Sequence, residues 1–197
     1  MFNDKYGLTQ AVLEGRKTQT RRICNPIPYR RELTCNDVWG HYPTKEEIDF
    51  DKLLARSKYK VGEVIAVAQS YHALNKQGYV APEWLDHTCE NSAGYDNKMF
   101  VQAALMPYHI KITNIRVECL QDISDEDCMK EGVIPYNDCF GNGFMLDDPH
   151  NNSYRRYCYT TARKAFSVLI DKTCGKGTWD SNPWVFVYDF EEVCTLI

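Results

Sequence analysis

The chain has 197 residues, 44% of them hydrophobic, with 23 lysines and arginines against 27 aspartates and glutamates. At this length a single domain buries roughly 70% of the surface that its unfolded chain exposes, so it needs no disulfide or metal to fold. A formal net charge of -4 excludes a protein that coats nucleic acid through bulk positive charge. No segment approaches the about 20 apolar residues of a membrane span. We therefore expect one soluble, cytoplasmic domain over residues 1–197 that does not associate with membranes.

The nine cysteines are odd in number and include no CxxC pair. Such a pattern argues against a disulfide framework and against a zinc knuckle. His87 and Cys89 form the only tight pair of potential metal ligands, and no second pair follows at finger spacing. We predict reduced, mostly buried thiols, no metal site and no cofactor.

The N-terminal part of the chain predicts a short helix that leads into a basic segment. Leu8, Ala11 and Val12 recur at helical spacing, and Gly15 stands where the helix would end. Positions 16–31 then hold six basic residues and no acidic one. A local cationic patch on an acidic body suits a small anionic or nucleotide-like ligand better than a long duplex, while a solvated basic loop remains the alternative.

The middle of the chain predicts a helix over residues 46–57 and a short buried strand over 64–68. Residues 72–98 predict mostly loop, with one short strand near Tyr79. A second strand over 110–117 changes its alternation midway, which indicates a β-bulge. Ser124 with Asp127 three positions later resembles a capping box, so a helix is predicted to begin there and to end at Gly132.

The C-terminal part predicts an irregular excursion over residues 136–152 and the longest helix over 154–170. A turn over 179–183 leads to a final strand over 184–190. The aromatic residues of that strand are predicted to pack in the core. They are Trp184, Phe186, Tyr188 and Phe190.

Four blocks spread over the whole chain resemble the ASCH domain family, and the last of them is most similar to bacterial and phage members. The blocks cover residues 15–22, 61–63, 112–127 and 179–187. The resemblance implies a mixed α+β fold, a PUA-like β-barrel with flanking helices. It also implies insertions at about 32–60, 72–100 and 136–160 relative to the compact members of the family.

The resemblance implies RNA or nucleotide binding in a basic cleft around residues 15–22. One compact bacterial branch consists of amidohydrolases that act on 4-acetylcytidine through a lysine, a threonine and a glutamate, which fall here on Lys17, Thr20 and Glu131. The predicted partner is therefore RNA or a modified nucleoside. The candidate ligand-binding residues are Arg16, Thr18, Arg21, Arg22 and Tyr71. Tyr71 lies in a loop-rich region that also contains Tyr79, Trp84 and Tyr95, and aromatic rings of this kind offer faces for base stacking.

Hydrolysis places strict demands on the three candidate catalytic residues. The Thr20 hydroxyl needs a neighbouring base, and Lys17 can serve only if burial and nearby cations depress its pKa. Residues three apart on a regular strand point to opposite faces, so Lys17 and Thr20 require a turn or bulge between them. Three functions stay open: a binding module for RNA or a modified base, which we favour, an amidohydrolase, and a ribonuclease.

Overall fold

The computed structural model describes residues 2–24, 49–78, 93–138, 141–147 and 158–194. The described residues form six α-helices, two short 3-10 helices and six strands, and the strands pair antiparallel, which confirms the mixed α+β class. The helices are α1 (Leu8–Leu13), α2 (Phe50–Ala55), α3 (Tyr71–Lys76), α4 (Asp125–Lys130), α5 (Ala162–Cys174) and α6 (Thr178–Ser181). The strands are β1 (Gln19–Ile23), β2 (Val64–Ala66), β3 (Tyr108–Cys119), β4 (Ile134–Asp138), β5 (Gly141–Met145) and β6 (Trp184–Cys194).

The central sheet has four antiparallel strands in the order β1-β6-β3-β2, and β4 and β5 form a separate hairpin. A barrel would require the two outer strands to pair with each other. Within the described residues β1 pairs only with β6, and β2, which is three residues long, pairs only with β3. The predicted β-barrel is therefore not closed in this part of the chain, where the sheet is open.

Helices cover both faces of the sheet, and each face has its own hydrophobic core. On the helical face, Val185 and Val187 of β6 pack against Ala165 and Phe166 of α5. On the opposite face, which we call the cleft face, the aromatic residues of β6 pack with β3 and α2. The prediction that these aromatics fill a core is confirmed, since Trp184, Phe186, Tyr188 and Phe190 are all buried.

A bulge in β3 decides which of its residues face which core. The register against β6 shifts between Ile112 and Asn114, which confirms the predicted irregularity. Before the shift Ile110 and Ile112 lie on the cleft face, and after it Ile115 and Val117 do. Because side chains alternate along a strand, the shift turns Asn114, Arg116 and Glu118 toward the helical face.

Side-chain caps explain where three of the helices begin. The Ser124 hydroxyl accepts a hydrogen bond from the Asp127 amide, as predicted for α4. Thr161 caps α5 in the same way, so that helix begins at Ala162 and not at the predicted position 154. Ser70 caps α3, a helix in a region predicted to be mostly loop. A serine at an N-cap is a local signal that the loop prediction overlooked.

Other elements differ from the prediction mainly in extent. The predicted excursion over 136–152 contains the β4–β5 hairpin, and the final strand continues to Cys194. Several predictions fall outside the described residues. They are the strand near Tyr79, the stacking role of Trp84, the pair of His87 and Cys89, and most of the predicted insertions. None of the helices in the described ranges is long and apolar enough to cross a membrane.

Candidate functional site

Lys17 and Glu131 form a buried ion pair between β1 and α4. The Lys17 ammonium donates to Glu131 Oε2 at 2.6 Å, to the Glu131 carbonyl at 2.8 Å and to the Gln19 carbonyl at 2.7 Å. The Lys17 side chain is only 2% exposed. Two of the three predicted catalytic residues, 114 positions apart in the chain, therefore meet in the fold.

Burial lowers the pKa of Lys17, while the charge of Glu131 opposes that shift. An ammonium has three N–H groups, and here all three donate to protein oxygens. Loss of a proton from Lys17 would therefore leave one of these three acceptors without its donor. The geometry is that of a charge held in place between two elements.

Arg21 is the centre of a wider charge network on the helical face. Its Nε and Nη2 donate to Glu118 Oε1 at 3.1 and 2.6 Å, and Nη2 also reaches Asp127 Oδ2 at 3.2 Å. Its Nη1 donates to Glu131 Oε1 at 3.1 Å and to the Gln19 side-chain oxygen. The guanidinium is 1% exposed. Its donors are fully used inside the protein, so Arg21 cannot contact a ligand without breaking this network.

Arg116 extends the same network toward solvent. It donates to Glu118 Oε2 at 3.1 Å, to Asp127 Oδ2 at 2.5 Å and to Asp189 Oδ2 at 2.8 Å. Asp189 also accepts from Gln19 Nε2 at 2.5 Å. We call this set the charge network. Its members are Lys17, Gln19, Arg21, Arg116, Glu118, Asp127, Glu131 and Asp189.

The charge network holds three cations and four carboxylates, with Lys130 at its edge 3.2 Å from Asp127. It therefore carries no excess positive charge, and two of the basic residues predicted to line a cleft, Lys17 and Arg21, are neutralised inside it. Arg16 is partly exposed and pairs with Glu14 at 2.6 Å and with Asp147 at 3.4 Å. Within residues 16–24, the described part of the basic segment, the basic residues do not form one continuous cationic surface.

Thr18 joins the elements around the network through its main chain. Its amide donates to the Lys130 carbonyl at 3.0 Å, and its carbonyl accepts from the Phe190 amide at 2.9 Å. The Thr18 amide is thus already used to hold β1 against the end of α4. The amide of this candidate ligand-binding residue is therefore not available to bind a ligand in this arrangement.

Thr20 lies on the other face of β1, away from the charge network. Gln19 and Arg21 face the network, and the residues between and after them, Thr20 and Arg22, line a cleft on the opposite side. The alternation of a regular strand accounts for this separation. The structure brings Lys17 and Glu131 together and places Thr20 elsewhere.

The cleft opens on the cleft face of the sheet and is walled by four aromatic and five aliphatic residues. It encloses only about 30 Å³, and the rest of its space is open to solvent. Tyr59 packs edge-on against Tyr188 at 5.3 Å between ring centroids, and Phe2 packs against Phe190 at 5.8 Å. The aliphatic lining comes from Ile65, Ala66, Ala68, Ile110 and Ile112.

Polar groups are few in this cleft. The hydroxyls of Tyr188 and Ser57 lie 2.9 Å apart, so the phenol already has a partner. The Thr20 side chain is half-buried, and Arg22 is exposed at the rim. An apolar, aromatic cleft with a hydroxyl and a guanidinium at its edge suits a flat ligand that carries an anionic group.

Tyr71, a predicted ligand-binding residue, lies apart from this cleft. It is 3% exposed and packs with Leu74 and Met106 in a separate small core. Its hydroxyl accepts a hydrogen bond from the Gln102 amide at 3.0 Å. In this position Tyr71 supports α3 rather than lining the aromatic cleft.

Sequence reasoning missed the partners that surround Arg21. Asn114, Arg116 and Glu118 alternate along β3, and that row of polar residues on one face of a long strand was a signal for a polar cluster. Asp127 was recognised only for its place near the helix cap, although its carboxylate accepts from Arg21 and Arg116. The four residues come from elements that only the tertiary fold brings together.

The described residues contain no group of three His, Cys, Asp or Glu side chains placed to hold a metal ion. Two of the described thiols are buried, and burial raises the pKa of Cys24 to about 11 and that of Cys128 to about 12. No protein-family model, curated protein or solved structure matches this chain.

Proposed function

We propose that this chain is an ASCH-type, PUA-like domain that binds RNA or a nucleotide, with one unstacked base against the open side of the aromatic cleft. The single observation that carries the proposal is the composition of that cleft. Aromatic rings from three parts of the chain wall it, and Thr20 and Arg22 supply polar groups at its edge.

Each part of such a ligand has a matching part of the cleft. A base stacked on an aromatic side chain gains about 1–3 kcal/mol. Tyr59 and Phe2 are half-buried and supply the accessible rings of the lining. The hydroxyl of Thr20 can bond a polar edge of the base. The exposed guanidinium of Arg22 suits a phosphate.

The same features favour a nucleotide or a single strand over a duplex. Tyr188 and Phe190 are buried, so a base contacts the half-buried rings of Tyr59 and Phe2 and reaches them only after it has left its stack. Within residues 16–24 the basic side chains are divided between two faces of the sheet, with Lys17 and Arg21 already neutralised, so this part of the segment offers few phosphate contacts. Binding with few such contacts depends only weakly on salt.

A titration with cytidine and uridine 5′-monophosphates and with short single-stranded RNAs tests the proposal. We expect saturable binding that Tyr59→Ala weakens by about 5- to 150-fold, the equivalent of 1–3 kcal/mol. Arg22→Ala should weaken RNA binding and reduce the slope of log affinity against log salt by about 0.7, the value of one lost contact to a single strand.

Lys111→Ala is the matched control for Arg22→Ala. Lys111 is an exposed cation on β3 that lies outside the cleft, so its loss changes the net charge equally without touching the aromatic lining. Equal effects of the two substitutions would show that only the overall charge matters. That result, or binding unchanged by Tyr59→Ala, would refute the cleft as the base site.

An amidohydrolase of acylated cytidines is the second candidate, and the contact between Lys17 and Glu131 favours it. Deacylation by Thr20 would require Lys17 to release a proton and the Thr20 hydroxyl to approach it, and in this structure they lie on opposite sides of β1. With 4-acetylcytidine as the probe, turnover that Thr20→Val and Lys17→Arg each abolish would establish hydrolysis. A wild-type protein that binds the nucleoside without releasing acetate would exclude it.

A further inference from the structure

Lys98 ties the N-terminal segment of the chain to the body of the domain. Its ammonium donates to Asp4 Oδ1 at 2.5 Å, to the Thr9 hydroxyl and to the Phe2 carbonyl at 3.5 Å. The Lys98 side chain is 9% exposed. All three acceptors belong to residues 2–9, whereas Lys98 comes from a segment about ninety positions further along the chain.

In the described part of the chain, residues 2–4 form few hydrogen bonds to the rest of the domain apart from those with Lys98. Among the described residues, the remaining hydrogen bonds of residues 2–4 go to residues 5–9 of the same segment. These local bonds keep the turn together but do not attach it to the sheet. The position of Phe2 therefore depends on Lys98 and on the packing of its own ring.

Phe2 is one of the walls of the aromatic cleft. Its ring lies 5.8 Å from that of Phe190, and the Lys17 ammonium lies 5.9 Å from its centroid. The ring therefore lies near both Phe190 of the cleft and the ammonium of Lys17. A shift of the N-terminal segment would remove a stacking surface from the cleft and would uncover Lys17.

We infer that Lys98 is a positioning residue for the ligand site: it fixes Phe2 as a wall of the cleft and so contributes to affinity without touching the ligand. The inference rests on the proposed function, because it assumes that the base occupies this cleft. Burial lowers the pKa of Lys98, and the nearby Asp4 carboxylate opposes that shift.

Removing the Lys98 charge should loosen the segment without unfolding the domain. The Asp4 side chain is 60% exposed, so its carboxylate returns to water when Lys98 is lost and leaves no unpaired buried charge. Tyr6 remains buried in the core of the helical face and keeps the start of α1 attached. Lys98→Met is therefore a local perturbation.

A double-mutant cycle with cytidine 5′-monophosphate as the probe tests this inference. We expect Phe2→Ala to weaken binding by about fivefold or more, the lower limit of a lost stacking contact. Lys98→Met should weaken binding by at least twofold in the wild-type background and have no further effect when Phe2 is already alanine, because coupled residues are not additive. Lys5→Met, which removes an exposed lysine from the same segment, should leave affinity unchanged.

Two results would overturn the role of Lys98. One is a Lys98→Met effect of equal size with and without Phe2. The other is an affinity unaffected by Lys98→Met in a protein that Phe2→Ala weakens.

A fluorine label separates the failure of this inference from the failure of the proposed function. With 4-fluorophenylalanine at position 2, the fluorine NMR signal of the ligand-free protein reports the packing of that ring. We expect Lys98→Met to shift and sharpen the signal, while Lys5→Met does not. If the wild-type protein binds no nucleotide, the proposed function fails, and an unchanged fluorine signal would then reject the role of Lys98 as well.

Discussion

Substitution of Lys17 by methionine tests whether the buried ion pair holds α4 against β1. Methionine keeps most of the apolar length of the side chain and removes the ammonium. The change leaves the carbonyls of Gln19 and Glu131 and the Glu131 carboxylate without the donor that now serves all three. Because Lys17 is 2% exposed and Glu131 is 6% exposed, water does not replace that donor without a local opening.

The expected loss follows from what remains around Glu131. Removing one partner of a buried pair costs about 3–5 kcal/mol, since the other charge stays buried without compensation. Arg21 still donates to Glu131 Oε1 at 3.1 Å after the substitution, so the charge keeps one partner. We therefore expect a decrease of about 3 kcal/mol in the free energy of unfolding, at the lower end of that range.

Urea unfolding at pH 7, followed by circular dichroism, measures this loss. With a slope of about 2 kcal/mol per molar urea, the midpoint of Lys17→Met should fall by about 1.5 M. Lys111→Met is the control, because that side chain is 46% exposed, and it should change the free energy by less than about 0.5 kcal/mol. A Lys17→Met protein within about 1 kcal/mol of wild type would refute the reasoning from a buried pair.

The pH dependence of stability gives a second, independent test of the buried Lys17. Burial lowers the pKa of Lys17 below its ordinary value of 10.5, so between the two values the unfolded chain binds the proton more readily than the folded protein. Stability from this residue therefore rises with pH through that window. We expect the stability difference between wild type and Lys17→Met to grow as the pH approaches 10.5. A difference that shrinks there would contradict the direction of the shift.

Three further predictions concern α4 and the thiols. Burial raises the pKa of Asp127, but contacts with Lys130 and Arg116 outweigh it and lower that pKa below 3.8. The stability that the Asp127 carboxylate contributes is therefore present above pH 3.8 and is lost as acid protonates the carboxylate. Asp127→Asn should accordingly flatten the fall in urea midpoint measured below pH 3.8. Ser124→Ala removes the α4 cap and should cost about 1 kcal/mol in the same unfolding assay. Since burial raises the pKa of Cys128 to about 12, iodoacetamide at pH 8 should modify the exposed Cys158 and spare Cys128 in the native protein, as mass spectrometry would detect.

Local signals in the sequence were sufficient to identify several elements that build the site. Ser124 and the acidic residues after it predict the start of α4, and the aromatic run of the last strand predicts its burial. The change of alternation in β3 predicts the bulge. Caps, alternation and bulges depend on residues a few positions apart, so they can be recognised without the fold.

The environment of the basic segment could be known only from the tertiary structure. Composition predicts an exposed cationic patch, yet Arg21 is buried because Glu118, Asp127 and Glu131 reach it from positions about a hundred residues away. Whether a charge is solvated or neutralised depends on such long-range partners. Arg21 faces the charge network and Arg22 faces the cleft. Within the basic segment itself, only the alternation of the strand distinguishes these two residues.

The open sheet and the separation of the candidate catalytic residues have the same origin. Strand pairing joins distant segments, so neither the short β2 nor its failure to meet β1 within the described residues could be read from the segments alone. The sequence by itself determined that Lys17 and Thr20 need an irregular backbone to share a face. Only the tertiary structure decided that β1 is regular from Gln19 onward, so that Lys17 turns to Glu131 and Thr20 turns to the aromatic cleft.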